Sequence, residues 1–148
     1  MAKQSGHSDT TTDGIRIQVA AQFVPEHSDP DNGQFVYAYR VVVTNEGELA
    51  ARLLKRYWLI LDSENHKREV RGSGVVGHQP RLEPGESFQY MSWCPLPTEW
   101  GSMEGHYGME RDNGDEFEAA VGRFFLAPNT APISEMETPE EGQTSVLL

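Results

Sequence analysis

A single cysteine, Cys94, rules out any internal disulfide, and the chain contains no C-x-x-C pair. The five histidines (His7, His27, His66, His78 and His106) show neither H-x-H nor H-x-x-x-H spacing, so a closed zinc site is not expected. No apolar run approaches the ~20 residues that a bilayer-spanning helix requires, and membrane insertion is not expected. The opening MAKQSGHSDTTTDG is polar throughout and does not read as a secretory signal, which makes the cytoplasm the simplest location. Basic residues are scarce, 12 against 23 acids, for a net charge of −11. Such a balance excludes general nucleic-acid binding, where clustered Lys and Arg must neutralise phosphates.

The few cations are unevenly placed. Seven of the 12 lie between Arg52 and Arg81 (Arg52, Lys55, Arg56, Lys67, Arg68, Arg71, Arg81), with only Asp62, Glu64 and Glu69 among them, so this span carries +4 and the remainder −15. A basic patch on an acidic protein suits a small anion or an acidic peptide. Lys and Arg also guard strand edges against aggregation, which is the alternative reading.

With 148 residues, 14 Gly and 9 Pro, the chain fits one turn-rich domain. Residues 1–13 are rich in Ser, Thr and Asp and read as a disordered tail. Residues 128–148 hold four glutamates and no cation and also read as disordered, with only Val146, Leu147 and Leu148 able to dock.

Between the tails, over residues 14–127, the dominant period is two. Ile15, Ile17, Val19, Ala21 and Phe23 form one apolar row, and Phe35, Tyr37, Tyr39, Val41 and Val43 a second. The run from Tyr57 to Asp62 (YWLILD) reads as a central strand buried on both faces, and the preceding ELAARLLKR as either a helical turn or a long bent strand. Asp112-Asn113-Gly114 signals a hairpin with a two-residue turn. The row Phe117, Ala119, Val121 then slips to Phe124 and Leu126, which places a β-bulge at Gly122. Seven or eight short, mainly antiparallel strands without a sustained helical pattern predict an all-β sandwich. Ile17, Val19, Tyr39, Val41, Leu59, Phe88, Tyr107, Phe117 and Val121 are its expected core residues.

The most conspicuous motif is Gly72 to Gly77 (GSGVVG), which matches G-x-G-x-x-G. Pro80 and Pro84 follow closely and forbid the helix a dinucleotide fold needs at this point. The glycines then either bend a tight loop or expose backbone N–H groups that cradle an anion. In the second case Arg71, Gly72, Ser73, Gly74, Gly77, His78 and Arg81 form the candidate ligand-binding loop, with the two arginines flanking the anion. Cys94 beside Pro95 lacks a recognisable partner base, and Asp29-Pro30-Asp31-Asn32-Gly33 lacks the downstream Glu of a calcium loop. No catalytic constellation, metal ligand set or cofactor site is recognisable.

The same stretch resembles a known family. Gly72 to Pro80 (GSGVVGHQP), Leu82 to Glu86 (LEPGE), Phe88 to Tyr90, Pro95-Leu96, Gly101 to Met103 and Gly105 to Tyr107 are similar, in order, to the signature block of ApaG proteins. Arg56 to Asp62 and Phe117 to Leu126 fit as well, so the resemblance spans residues 14–127. It implies an immunoglobulin- or fibronectin-III-like sandwich. It also implies a bacterial gene often found beside a diadenosine tetraphosphatase, a name linked to cobalt and magnesium efflux, and a eukaryotic counterpart that mediates interactions in F-box and polymerase-associated proteins. The resemblance brings no catalytic residue with it. The expected function is therefore a non-catalytic, regulatory binding module with a protein partner. A second reading is a pyrophosphate-containing ligand, with or without Mg²⁺, on the glycine loop. A third is divalent-cation homeostasis acting through a partner.

Overall fold

The computed structural model describes residues 6–128 and the backbone pair 146–147. Ten strands follow in order: β1 His7–Thr12, β2 Ile15–Phe23, β3 Phe35–Asn45, β4 Ala51–Asp62, β5 Lys67–Ser73, β6 Arg81–Leu82, β7 Ser87–Leu96, β8 Gly101–Arg111, β9 Glu116–Leu126 and β10 Val146–Leu147. Eight of them span six residues or more, and the only helical elements among the described residues are the 3-10 turns Pro25–His27 and Pro30–Asn32. The first sheet runs β1-β2-β3-β7-β10, and the second β5-β4-β8-β9 with β6 also on β4. All neighbours are antiparallel except β10, which is parallel to β7. The molecule is a β-sandwich of the immunoglobulin and fibronectin-III kind.

The alternating rows fill the space between the sheets. Ile15, Ile17, Val19, Tyr37, Tyr39, Val41 and Val43 meet Leu53, Trp58, Ile60, Met103, Tyr107, Val121, Phe124 and Leu126 in one core. Trp58 sits at its centre. Its ring meets Tyr39 at 5.5 Å and Tyr107 and Phe124 at 6.0 Å, all edge-on. Each such pair contributes about 0.5–1.5 kcal/mol beyond area burial. The hydroxyls of Tyr90 and Tyr107 hydrogen-bond to each other inside this core.

The structure departs from the sequence-based expectation in four places. First, the polar segment expected to be a tail through residue 13 contains β1, paired with β2 from His7↔Ala20 to Thr12↔Ile15. Asp13 and Gly14 both take positive φ, 49° and 82°, which is the two-residue turn that Asp-Gly encodes. Residues 1–5 and most of the acidic segment 128–148 lie outside the described residues. Second, β4 buries one face only: Trp58, Ile60 and Asp62 point inward, while Tyr57, Leu59 and Leu61 are half-buried. Nothing among the described residues layers over the second sheet, so Leu59 is not core. Third, Phe88 and Phe117 pack against the core without being enclosed by it. Fourth, the Asp112-Asn113-Gly114 turn is a three-residue loop. Gly114 N–H donates to Arg111 O at 2.9 Å, and Gly114 supplies the positive φ of 93°.

Two bulges bend the second sheet. Met103↔Phe124 gives way to Gly105↔Val121, so Gly122 and Arg123 oppose Glu104 alone, where the phase slip at Gly122 places the bulge. Leu53↔Met109 gives way to Lys55↔Gly108, so Leu54 is extra, and ELAARLLKR resolves as a bent strand.

Candidate interaction surface

β5 runs out at Ser73 and the chain folds back at once. Val75 and His78 exchange N–H···O bonds, 2.8 Å each, around Val76 and Gly77, whose φ values of 43° and 83° define a type I′ turn. Val76 is a β-branched residue in the left-handed region, held there because Val75 is anchored in the core. The amide of Gly74 donates to Leu54 O at 2.7 Å. Arg56 Nη1 donates to the carbonyls of Ser73 and Gly74, 3.1 and 3.0 Å away. The amides of residues 74, 75 and 78 therefore serve carbonyls of the fold.

Each glycine has a structural task. Gly72 leaves room for the Arg56 guanidinium, which a Cβ would meet at 2.6 Å. Gly74 (φ +60°) presses against His78 O, and Gly77 completes the turn.

The structure separates the seven candidate loop residues. Arg71, Gly72 and Ser73 face a groove on the outer side of the second sheet, and Gly74, Gly77, His78 and Arg81 do not line it. His78 is exposed beside Phe88, with ring centroids 5.7 Å apart. Arg71 pairs across β4 with Tyr57, and Arg81 with Arg52, so about 16 Å of strand lies between the two arginines. Arg81 is held by Asp112 and Glu83, and Arg71 reaches Glu69 at 3.7 Å.

The register assembles a different group of side chains. The groove encloses about 700 Å³ and is lined by Lys55, Tyr57, Arg71, His106, Phe117 and Glu118, among others. The rings of Tyr57 and His106 stack at 5.0 Å and 27°, and the Arg71 guanidinium lies 4.7 Å above Tyr57. Tyr57 donates its hydroxyl hydrogen to Glu69 at 2.6 Å, and His106 Nε2 lies 3.3 Å from Glu118. The bond to Glu69 raises the Tyr57 hydroxyl above its ordinary pKa and lowers the Glu69 carboxyl below its own. This ledge offers ring faces beside the cations of Lys55 and Arg71 and the carboxylates of Glu116 and Glu118. Sequence order hides this pair, because Tyr57 and His106 are 49 positions apart and meet only through the pairing Tyr57↔His106.

Cys94 is buried, and burial pushes its thiol up to about 12. Burial disfavours its thiolate, and Arg68 Nη2, 3.7 Å from the sulfur, works in the opposite direction. Arg56 reaches the interior, close to the hydroxyls of Tyr39, Tyr90 and Tyr107. Among the described residues no cluster of three or more His, Cys, Asp or Glu could hold a metal ion, and no helix is long and apolar enough to cross a membrane.

Comparison with known proteins agrees with the fold. Residues 25–111 match the family model of the ApaG domain. Protein ApaG of Dechloromonas aromatica is 48% identical over 120 residues, covering 81% of this chain and 94% of its own length. Protein ApaG of an Anaeromyxobacter species is 47% identical over 124 residues, covering 83% and 98%. A crystal structure of a Bordetella pertussis protein described as ApaA superposes with a TM-score of 0.76 at 43% identity, over 86% of this chain and all of the other. With a family model matched over more than half its length and relatives near half identity along almost their whole length, the chain belongs to the ApaG family.

Proposed function

We propose that this chain works by binding, as a non-catalytic interaction module, and that the outer ledge of β4, β5 and β8 makes the contact. The observation that carries the reading is the stack of Arg71, Tyr57 and His106 in an open groove beside Lys55. Half-buried aromatic rings and an Arg over a ring face are what protein contact surfaces concentrate. Residues 52–81, which supply the β4 and β5 part of this ledge, carry +4 in a chain of −11, so the favoured ligand is acidic.

The test is an amide-shift titration of the full chain with polyglutamate, and with polylysine as the opposite-charge control. Polyglutamate should move the signals of Lys55, Tyr57, Arg71 and His106, and Lys55→Glu with Arg71→Glu should remove the response. Equal responses to both polymers, or none at millimolar residue concentration, would overturn the reading. So would metal-dependent turnover of a nucleoside or dinucleoside polyphosphate that maps to this groove.

A further inference from the structure

Among the described residues the sandwich has four sheet edges, which are covered to different extents. β1 and β9 meet each other: Ala120 N–H donates to Thr12 Oγ1 at 3.2 Å, and Gly122 lies against Thr10 and Ser8. β10 pairs with β7 at Ser92 and Trp93. Among the described residues no strand lies beyond β5.

The register shows which groups β5 presents outward. Gly74 N–H donates to Leu54 O and Asp62 N–H to His66 O, so the pairs 54↔74 and 62↔66 are hydrogen-bonded ones. Alternation along the ladder makes Arg56↔Gly72, Trp58↔Val70 and Ile60↔Arg68 hydrogen-bonded as well. The N–H and C=O groups of Lys67, Glu69 and Arg71 therefore point away from β4. Their side chains lie on the outer face with Tyr57, whereas Arg68 and Val70 face the other sheet: Arg68 Nη2 bonds Pro95 O at 3.0 Å. Beside this edge a cleft of about 230 Å³ opens between the sheets, floored by Ile60, Leu96 and Pro97 and rimmed by Lys67 and Arg68.

We infer that β5 takes up an extended acidic segment of a partner protein as an added strand, a mode that rests on the binding role proposed above and specifies how that role is exercised. Strand addition needs a bare edge for main-chain bonds and pockets for alternate side chains, and β5 has both. The charges define the segment. Two acids four positions apart would face Lys67 and Arg71. The residue between them, opposite Glu69, must be uncharged, because Glu69 already serves Tyr57 and Arg71. The residue opposite Arg68 points between the sheets and should be apolar, to enter the cleft. For an antiparallel strand this reads Glu-Val-Thr-Ile-Glu. Cations on an edge repel a like-charged strand and attract an acidic one, so the feature that guards against aggregation also selects the partner. Pairing of β5 with β5 of a second copy would set Lys67 and Arg71 against their own equivalents, which disfavours that occupant.

The test uses the full chain and a capped Ser-Glu-Val-Thr-Ile-Glu-Ser peptide, read by amide hydrogen exchange and binding isotherms. The amides of Lys67, Glu69 and Arg71 should slow by roughly tenfold or more at saturation, while those of Arg68 and Val70, already bonded to β4, change little. N-methylation of the peptide's Glu and Thr amides, which face β5, should weaken binding by roughly tenfold or more, and N-methylation of its Val amide should not. Lys67→Glu with Arg71→Glu should weaken the unmodified peptide by a similar factor. These peptide changes leave the protein's folding untouched. Binding that ignores N-methylation and protects no alternate amides would overturn strand addition and leave the proposed binding role standing. Absence of binding overturns it too; the binding role then falls with it only if polyglutamate also leaves Lys55, Tyr57 and His106 unmoved. A dimeric free protein with Lys67, Glu69 and Arg71 amides already protected would overturn it in favour of a second copy.

Discussion

Replacing Gly74 by alanine would set a methyl group 2.3 Å from the carbonyl oxygen of His78, at a position where φ is +60°. The same change at Gly77 meets φ +83° but finds nothing within 4 Å. Both substitutions carry the left-handed penalty of about 1–2 kcal/mol. Gly74→Ala adds a clash with a backbone atom, which cannot rotate away, and forcing the turn open costs about another 1–3 kcal/mol. The expected losses are then about 2–5 kcal/mol at Gly74 and about 1–2 kcal/mol at Gly77. With a urea slope near ~2 kcal/mol/M, the unfolding midpoint should fall by roughly 1–2.5 M for Gly74→Ala and roughly 0.5–1 M for Gly77→Ala, at unchanged slope. The ordering comes from contact geometry alone, because the dihedral cost is common to both. Equal midpoints, or a larger fall for Gly77→Ala, would refute the packing assigned to this loop.

Three further outcomes are expected. Tyr107→Phe and Tyr90→Phe each strand a buried hydroxyl and should each cost about 1–3 kcal/mol, whereas the double variant should cost clearly less than their sum; additivity in a urea double-mutant cycle would show that the two hydroxyls are not bonded. A thiol reagent at pH 8 should label Cys94 only as fast as the protein opens, since burial suppresses the thiolate, and rapid labelling of native protein would contradict that placement. Burial works to raise the Asp62 carboxyl, but the amides of His66 and Glu64 outweigh it and hold it below its ordinary value of ~3.9. Its stabilisation is therefore fully present above that value and lost as pH falls through the lowered one. Asp62→Asn should flatten the acid limb of a stability-against-pH curve below about pH 4, and an unchanged limb would refute the assignment.

The period-two rows and the turn dipeptides are enough to predict an all-β sandwich, because alternation and left-handed turn residues are local properties that survive whatever the chain packs against. The bulge at Gly122 was legible for the same reason, as a break in one strand's own phase. Asp13-Gly14 is an equally local hairpin signal, set in a segment whose polar composition reads as a tail. What no local pattern holds is which strands become neighbours and which edge is left over. Arg71 and Arg81 flank one loop in the sequence, yet their β4 partners, Tyr57 and Arg52, keep them apart. Tyr57 and His106 become a stacked pair only because β4 lies beside β8 in one particular register, and a slip of β4 by one residue would turn Tyr57 to the face opposite His106. The one-sided burial of Leu59 and the bare edge of β5 have the same origin: they depend on what layers over or beside a strand, which the tertiary structure alone decides.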